Sequence, residues 1–174
     1  MTQFVWRTEG QERLLRATLP AKVLDEMLEM CRAAGKRETG GILIGRHSED
    51  RSTAVILEAT GRPKDSLFSW VTFSRGSHGL RALLESRWAE NSFYLGEWHF
   101  HPGGSPNPSH QDILSMKQIA TDPDYQCPFP LLLIVGGNPR RDYRVSCTVF
   151  LGDHKAVPMI ADDDNATPAP GHAP

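Results

Sequence analysis

The stretch GEWHFHPGGSPNPSHQD, residues 96–112, sets His99, His101, Ser109 and Asp112 at short intervals. On an extended strand side chains alternate between faces, so His99 and His101 point to one side and Phe100 to the other. Two imidazoles placed this way reach one cation without bending the backbone. Pro102 ends the strand, the loop PGGSPNP turns the chain, and the first turn of a following helix brings Asp112 back to the histidines. Two neutral imidazoles and a carboxylate form a three-ligand set for zinc, with a fourth position left for water. The ion lowers the pKa of that water from about 15.7 to about 7, so a nucleophile is available at neutral pH. A plainer account of part of this pattern is that Ser109 and Asp112 match S-x-x-D, a capping box at a helix start. The accounts are compatible, because a capping serine can still present its hydroxyl to a site.

Hydrolysis at such a centre needs a general base. Glu97 alternates onto the histidine face and is near by strand geometry. Glu38 lies far upstream in ETGGILIG, followed by Gly40 and Gly41, which permit close approach of a neighbouring backbone. The residues alone leave the two glutamates level.

The elements that position these groups follow from pattern. FVWR and RLLRATL read as an opening hairpin across TEGQE. Pro20 suits the first position of a helix, and Val23, Leu24, Met27, Leu28 and Cys31 fall on one face at helical spacing, with Gly35 as the stop. TGGILIGRH and TAVILEATG read as successive strands, GRPKDSLFS as irregular, and WVTFSR as a strand. GLRALLESRWAE reads as a helix with Leu80, Leu83, Leu84 and Trp88 as its apolar stripe. SFYLGEWHFH is an aromatic-rich strand, SHQDILSMKQIA starts a helix, and PLLLIVGG, YRVSCTVFL and KAVPMI are strands. The expected fold is one α/β domain over residues 1–160, a mixed, curved sheet flanked by helices. Residues 161–174, acidic and then rich in Pro and Ala, read as a disordered tail.

The 174 residues suit a single core, and a net charge of −2 points away from nucleic acid and anionic membranes. LLLIV is far too short to span a membrane, and MTQFVWRTEG lacks a signal-peptide pattern. Cys31, Cys127 and Cys147 are odd in number and widely spaced, which fits packing residues in a reducing, cytoplasmic setting. His47, His78, His110, His154 and His172 read as surface residues, and Trp70, Trp88 and Trp98 as core. The loops GRPKDSLFS and TDPDYQCPFP flank the expected cleft and are candidates for choosing a substrate.

E-T-G-G-I-L-I-G followed by H-F-H-P, five residues and P-S-x-x-D resembles the JAMM (MPN-plus) metalloprotease family over roughly residues 20–155. The resemblance implies a JAMM/MPN-like domain with zinc held by His99, His101 and Asp112. It implies Glu38 as the base and Ser109 as a donor to the oxyanion, which separates the two glutamates and leaves Glu97 in a supporting or substrate-groove role. The residue between the histidines is usually Ser or Thr in that family and is Phe100 here; its side chain is expected in the core. YLGEWHFHP and the short length are similar to bacterial deconjugases of CBASS and ubiquitination-like antiphage operons. Those cut the bond after the tail of a ubiquitin-like modifier, or of a signalling enzyme used as one, beside activating and conjugating enzymes. Alternatives are a RadC-like protein linked to DNA, a non-catalytic binding module, a small-molecule amidohydrolase, and a peptidase that releases a sulfur carrier's tail. Metal content and cleavage of a modifier fusion separate these classes.

Overall fold

The computed structural model describes residues 3–61 and 78–162, with the side chains of residues 78–80 excluded. The chain runs β1 (Gln3–Arg7), β2 (Arg16–Pro20), α1 (Ala21–Ala34), β3 (Thr39–His47), β4 (Thr53–Ala59) and α2 (His78–Ala89). It continues through β5 (Phe93–Pro102), α3 (His110–Thr121), a 3-10 turn at Pro123–Tyr125, β6 (Leu131–Gly137), β7 (Tyr143–Phe150), β8 (Ala156–Pro158) and β9 (Ile160–Ala161). The strands form one curved sheet in the order β8-β7-β6-β5-β3-β4-β2-β1-β9, parallel at β2–β4 and β5–β6 and antiparallel elsewhere. This is the mixed α/β domain expected.

Each face of the sheet is buried by a different helix. α1 covers one face with Val23, Leu24, Met27, Leu28 and Cys31, against Trp98, Phe100, Leu131, Leu133 and Val135. The other face gathers Ile42, Ile44, Tyr94, Leu132, Ile134 and Phe150 under Met116 and Ile119 of α3. β6 reads as an unbroken apolar run because both of its faces are covered. A bulge in β5 sets which residues share a face. Pairing with β3 skips from Leu43↔Gly96 to Ile44↔Tyr94, and Gly96 takes φ 143°, a backbone conformation open to glycine. The extra residue puts Tyr94 and Glu97 on the same side although they are three apart, so the α3 face inherits Glu97, His99 and His101.

Several expectations need correction. Trp88 is not core but 57% exposed. Arg87, not Trp88, turns to the sheet, where its Nε donates to Glu58 of β4 at 2.6 Å, and one residue of helical rotation carries the indole outward. Leu83 and Leu84 pack half-buried against the α3-side core, as their stripe implied. Pro20 closes β2, and the helix begins at Ala21. KAVPMI divides into β8 and β9 around Met159. β9 pairs with β1, the Asp162 N–H donates to Val5 O, and Arg7 Nε donates to Asp162 at 2.9 Å, so Ala161 and Asp162 are fastened to the sheet rather than free. His47 is half-buried, its Nδ1 enclosed without a hydrogen-bond partner among the described residues, and burial followed by the Arg51 charge pulls its pKa down. His110 and His154 are exposed, and Trp98 is fully buried. WVTFSR, Trp70, the GRPKDSLFS loop except Gly61, His172 and the chain after Asp162 lie outside the described residues.

Candidate active site

β5 lies between β3 and β6, with His99 opposite Gly40 on one side and Ile134 on the other. Phe100 is fully buried in the α1-side core and pins the strand, so His99 and His101 both face α3. The chain then turns back. Pro102 and Gly103 occupy the middle of a turn closed by the Gly104 N–H donating to His101 O at 3.1 Å, with Gly103 at φ 68°. Ser109 caps α3: its hydroxyl accepts from Asp112 N–H at 3.1 Å, and Asp112 Oδ2 accepts from Ser109 N–H at 2.7 Å. The capping box is therefore real, and it is also the device that holds the Asp112 carboxylate at the histidines.

Around Asp112 the contacts converge. His99 Nδ1 lies 2.8 Å from Asp112 Oδ1, and His101 Nε2 lies 3.6 Å from Asp112 Oδ2. The outward nitrogens meet oxygen as well: His99 Nε2 is 3.3 Å from Glu97 Oε2, and His101 Nδ1 is 3.3 Å from Ser105 O. Glu97, His99 and Asp112 are buried, and His101 is half-buried. Ligand atoms of His99, His101 and Asp112 all lie within 4.8 Å of one another. Two imidazole nitrogens face one carboxylate, and each remaining ring nitrogen is steadied by an oxygen, a donor set that fits a divalent cation such as zinc.

The electrostatics follow from this crowding of two carboxylates about one ring. Burial pulls the His99 pKa down, but the hydrogen bonds to Asp112 and Glu97 and their charges outweigh it and raise it to about 9. For Asp112, burial pushes up, while the bonds from His99 and Ser109 prevail and lower it to about 2.

Glu38 immediately precedes β3. It is exposed, and the paired register with β5 starts one residue later, at Thr39↔Phe100. Glu97 sits within the cluster, against His99. Of the sequence-predicted residues, His99, His101, Asp112, Glu97 and Ser109 come together at one end of β5. What pattern reading missed is the Ser105 carbonyl, since a backbone acceptor leaves no side-chain signal; the Gly-Gly pair closing β6, beside that loop, was the available hint.

A family described as prokaryotic homologs of the JAB domain matches residues 20–147. A protein from Enterobacter hormaechei subsp. hoffmannii named CD-NTase/cGAS isopeptidase is 52% identical over 136 residues, covering 78% of this chain and 76% of that one. Proteins of the same name from Pseudomonas aeruginosa and Escherichia coli are 32% and 35% identical, over 58% and 57% of this chain and 64% and 62% of theirs. Among solved structures, a protein from Desulfitobacterium hafniense aligns with TM-score 0.54 at 21% identity over 82% of this chain and 86% of its own, a likeness of fold. The motif spacing, the helix-backed sheet and the match across most of the chain agree: it belongs to the prokaryotic JAB-domain family.

Proposed function

We propose that this protein is a JAMM-type, zinc-dependent isopeptidase that releases a ubiquitin-like modifier, or a signalling enzyme conjugated in the same manner, from its target. The observation that carries the proposal is the convergence of His99, His101 and Asp112, in a chain 52% identical to a CD-NTase/cGAS isopeptidase. That relative's name suggests a conjugated CD-NTase as the substrate here. His99, His101 and Asp112 would hold Zn2+, which when bound supplies Lewis acidity and an acidified water. Glu38, exposed and immediately before β3, takes the proton of the attacking water. The water oxygen joins the carbonyl carbon of the isopeptide bond, Ser109 donates to the oxyanion, and the C–N bond breaks as Glu38 returns the proton to the leaving amine. Glu97 accepts from His99 Nε2–H and fixes the tautomer. An extended modifier tail can reach the site as an added strand. Among the described residues, Thr39 and Gly40, next to the histidines, have no strand partner on the side away from β5.

The working setting of this proposal is cytoplasmic antiviral defence, with operon-encoded activating and conjugating enzymes as partners. Among the described residues no helix is long and apolar enough to cross a membrane. The deciding experiment compares Glu38→Gln with Glu97→Gln for zinc content and single-turnover cleavage of a modifier–reporter fusion. Glu38→Gln should keep its zinc and lose roughly 10²–10⁴-fold or more in rate, as expected for a lost general base. Glu97→Gln should lose roughly 10–100-fold, as expected for a group that orients a ligand. A dead Glu97→Gln beside an active Glu38→Gln would reverse the assignment of the base. An intact fusion in the presence of zinc-loaded wild type would favour a non-catalytic module.

A further inference from the structure

We infer that Gly136 and Ser146 are positioning residues of the metal centre, acting on His101 through the backbone of the 103–108 loop. The inference rests on the metal-site reading above. His101 Nδ1 lies 3.3 Å from the Ser105 carbonyl. A carbonyl only accepts, so this contact puts the ring proton on Nδ1 and leaves the Nε2 lone pair on the side of Asp112, where a ligand nitrogen is needed. The tautomer and tilt of His101 therefore depend on where a backbone oxygen sits, in an exposed loop of Pro, Gly and Ser.

Two groups from other strands seat that loop. Gly136, the β6 partner of His101, presents a bare Cα to it: a Cβ there would stand 2.5 Å from Pro106 N, 2.7 Å from Ser105 C and 2.9 Å from Gly104 O. These are backbone atoms, which cannot rotate away, so the loop lies flat on the strand only because residue 136 has no side chain. Ser146 of β7, forty residues away, donates its hydroxyl to Pro106 O at 2.5 Å. Pro106 has a fixed φ, so holding its carbonyl constrains the Ser105 carbonyl one peptide earlier. Gly103 N–H, donating to Gly137 O at 3.0 Å, ties the start of the same loop to the same strand end. β6 and β7 thus form a rigid seat for a segment with little packing of its own, and the seat determines which nitrogen of His101 faces Asp112.

The test uses the purified, metal-free full chain. Zinc affinity is measured by competition with a chromophoric chelator, Co2+ binding by its visible bands, and metal-free stability by thermal melting. Wild type is titrated first. Ser146→Ala should weaken zinc binding by roughly 10–100-fold, the range for losing a group that orients a ligand, and should alter the Co2+ bands. The metal-free melting temperature should fall by only about 2–4 °C, the equivalent of one ordinary hydrogen bond. Ser146→Thr keeps the hydroxyl and suits a strand, so it should recover most of the affinity. Gly136→Ala should weaken zinc at least as much as Ser146→Ala; if it does not fold, the Ser146 pair decides. Unchanged zinc affinity in Ser146→Ala overturns the inference, as does a lower melting temperature without loss of affinity, the mark of a merely structural hydroxyl, or an affinity that Thr fails to restore. Wild type that binds no zinc sinks the metal-site reading itself, and that is seen before any variant is made.

Discussion

Gly41, the second glycine of ETGG, offers a quantitative test of how the site's strands are held together. A Cβ on Gly41 would lie 2.0 Å from Thr60 O and 2.8 Å from both Thr60 C and Thr60 Oγ1. Ordinary contact begins at 3.4 Å, so Thr60 would have to retreat by more than an ångström. Thr60 cannot move without loss. Its N–H donates to Ile42 O at 2.9 Å, its Oγ1 accepts from Ile42 N–H at 3.1 Å, and its carbonyl accepts from Trp98 Nε1–H at 2.9 Å. At about 1 kcal/mol for each hydrogen bond, Gly41→Ala should cost about 3 kcal/mol. For a domain of this size that lowers the melting temperature by about 6–12 °C. Calorimetric melts of wild type, Gly41→Ala, Trp98→Phe and the double variant measure it. Because the displaced Thr60 has already lost the indole, Trp98→Phe should cost less in the Gly41→Ala background than in wild type. A Gly41→Ala melt within about 2 °C of wild type, or strict additivity in the cycle, would refute the reasoning. The same tie keeps β3 in the register that sets Gly40 opposite His99.

Three further outcomes follow from burial and charge. The folded pKa of His99, about 9, stands above the ordinary 6.5, so its contacts stabilise the metal-free protein fully below pH 6.5, and that contribution is lost as pH rises through 9. Metal-free melting temperature should therefore fall between those values, and calorimetric zinc titration near pH 7 in buffers of different ionisation enthalpy should register about one proton released; zinc uptake without proton release would contradict the assignment. Trp88→Ala, at an exposed position, should change stability by less than about 0.5 kcal/mol, whereas Trp98→Ala in denaturant unfolding should cost about 3–5 kcal/mol. Burial pushes the Cys31 and Cys127 thiols up to about 12 and Cys147 higher still, so native protein at mild alkaline pH should react slowly with a thiol reagent and label at all three only after unfolding; one rapidly reacting thiol would show an opening that this packing does not contain.

Local periodicity was enough for whatever depends on near neighbours. The period of two put His99 and His101 on one side and Phe100 in the core. The period of 3.6 marked the buried face of α1, residue for residue, and S-x-x-D announced the cap that holds Asp112. Short-range geometry carries these features, so a few residues contain them. The order of the strands is different in kind. That β5 lies between β3 and β6, that β2 runs parallel to β4, and that β9 returns to β1 are settled by which apolar faces bury one another across the whole chain. Trp88 was misread for that reason: a helical stripe says which residues share a face, while the Arg87–Glu58 pair with a distant strand decides which way the face turns. The surroundings of Glu97 show the same division. Alternation put Glu97 beside the histidines, but only the β3–β5 register sets Gly40 opposite His99, and only the bulge at Gly96 sets the face that Tyr94 shares with Glu97. The Ser105 carbonyl, seated by Gly136 and Ser146, was decided entirely by tertiary structure, because a backbone acceptor has no residue type and its partners come from strands further along the chain.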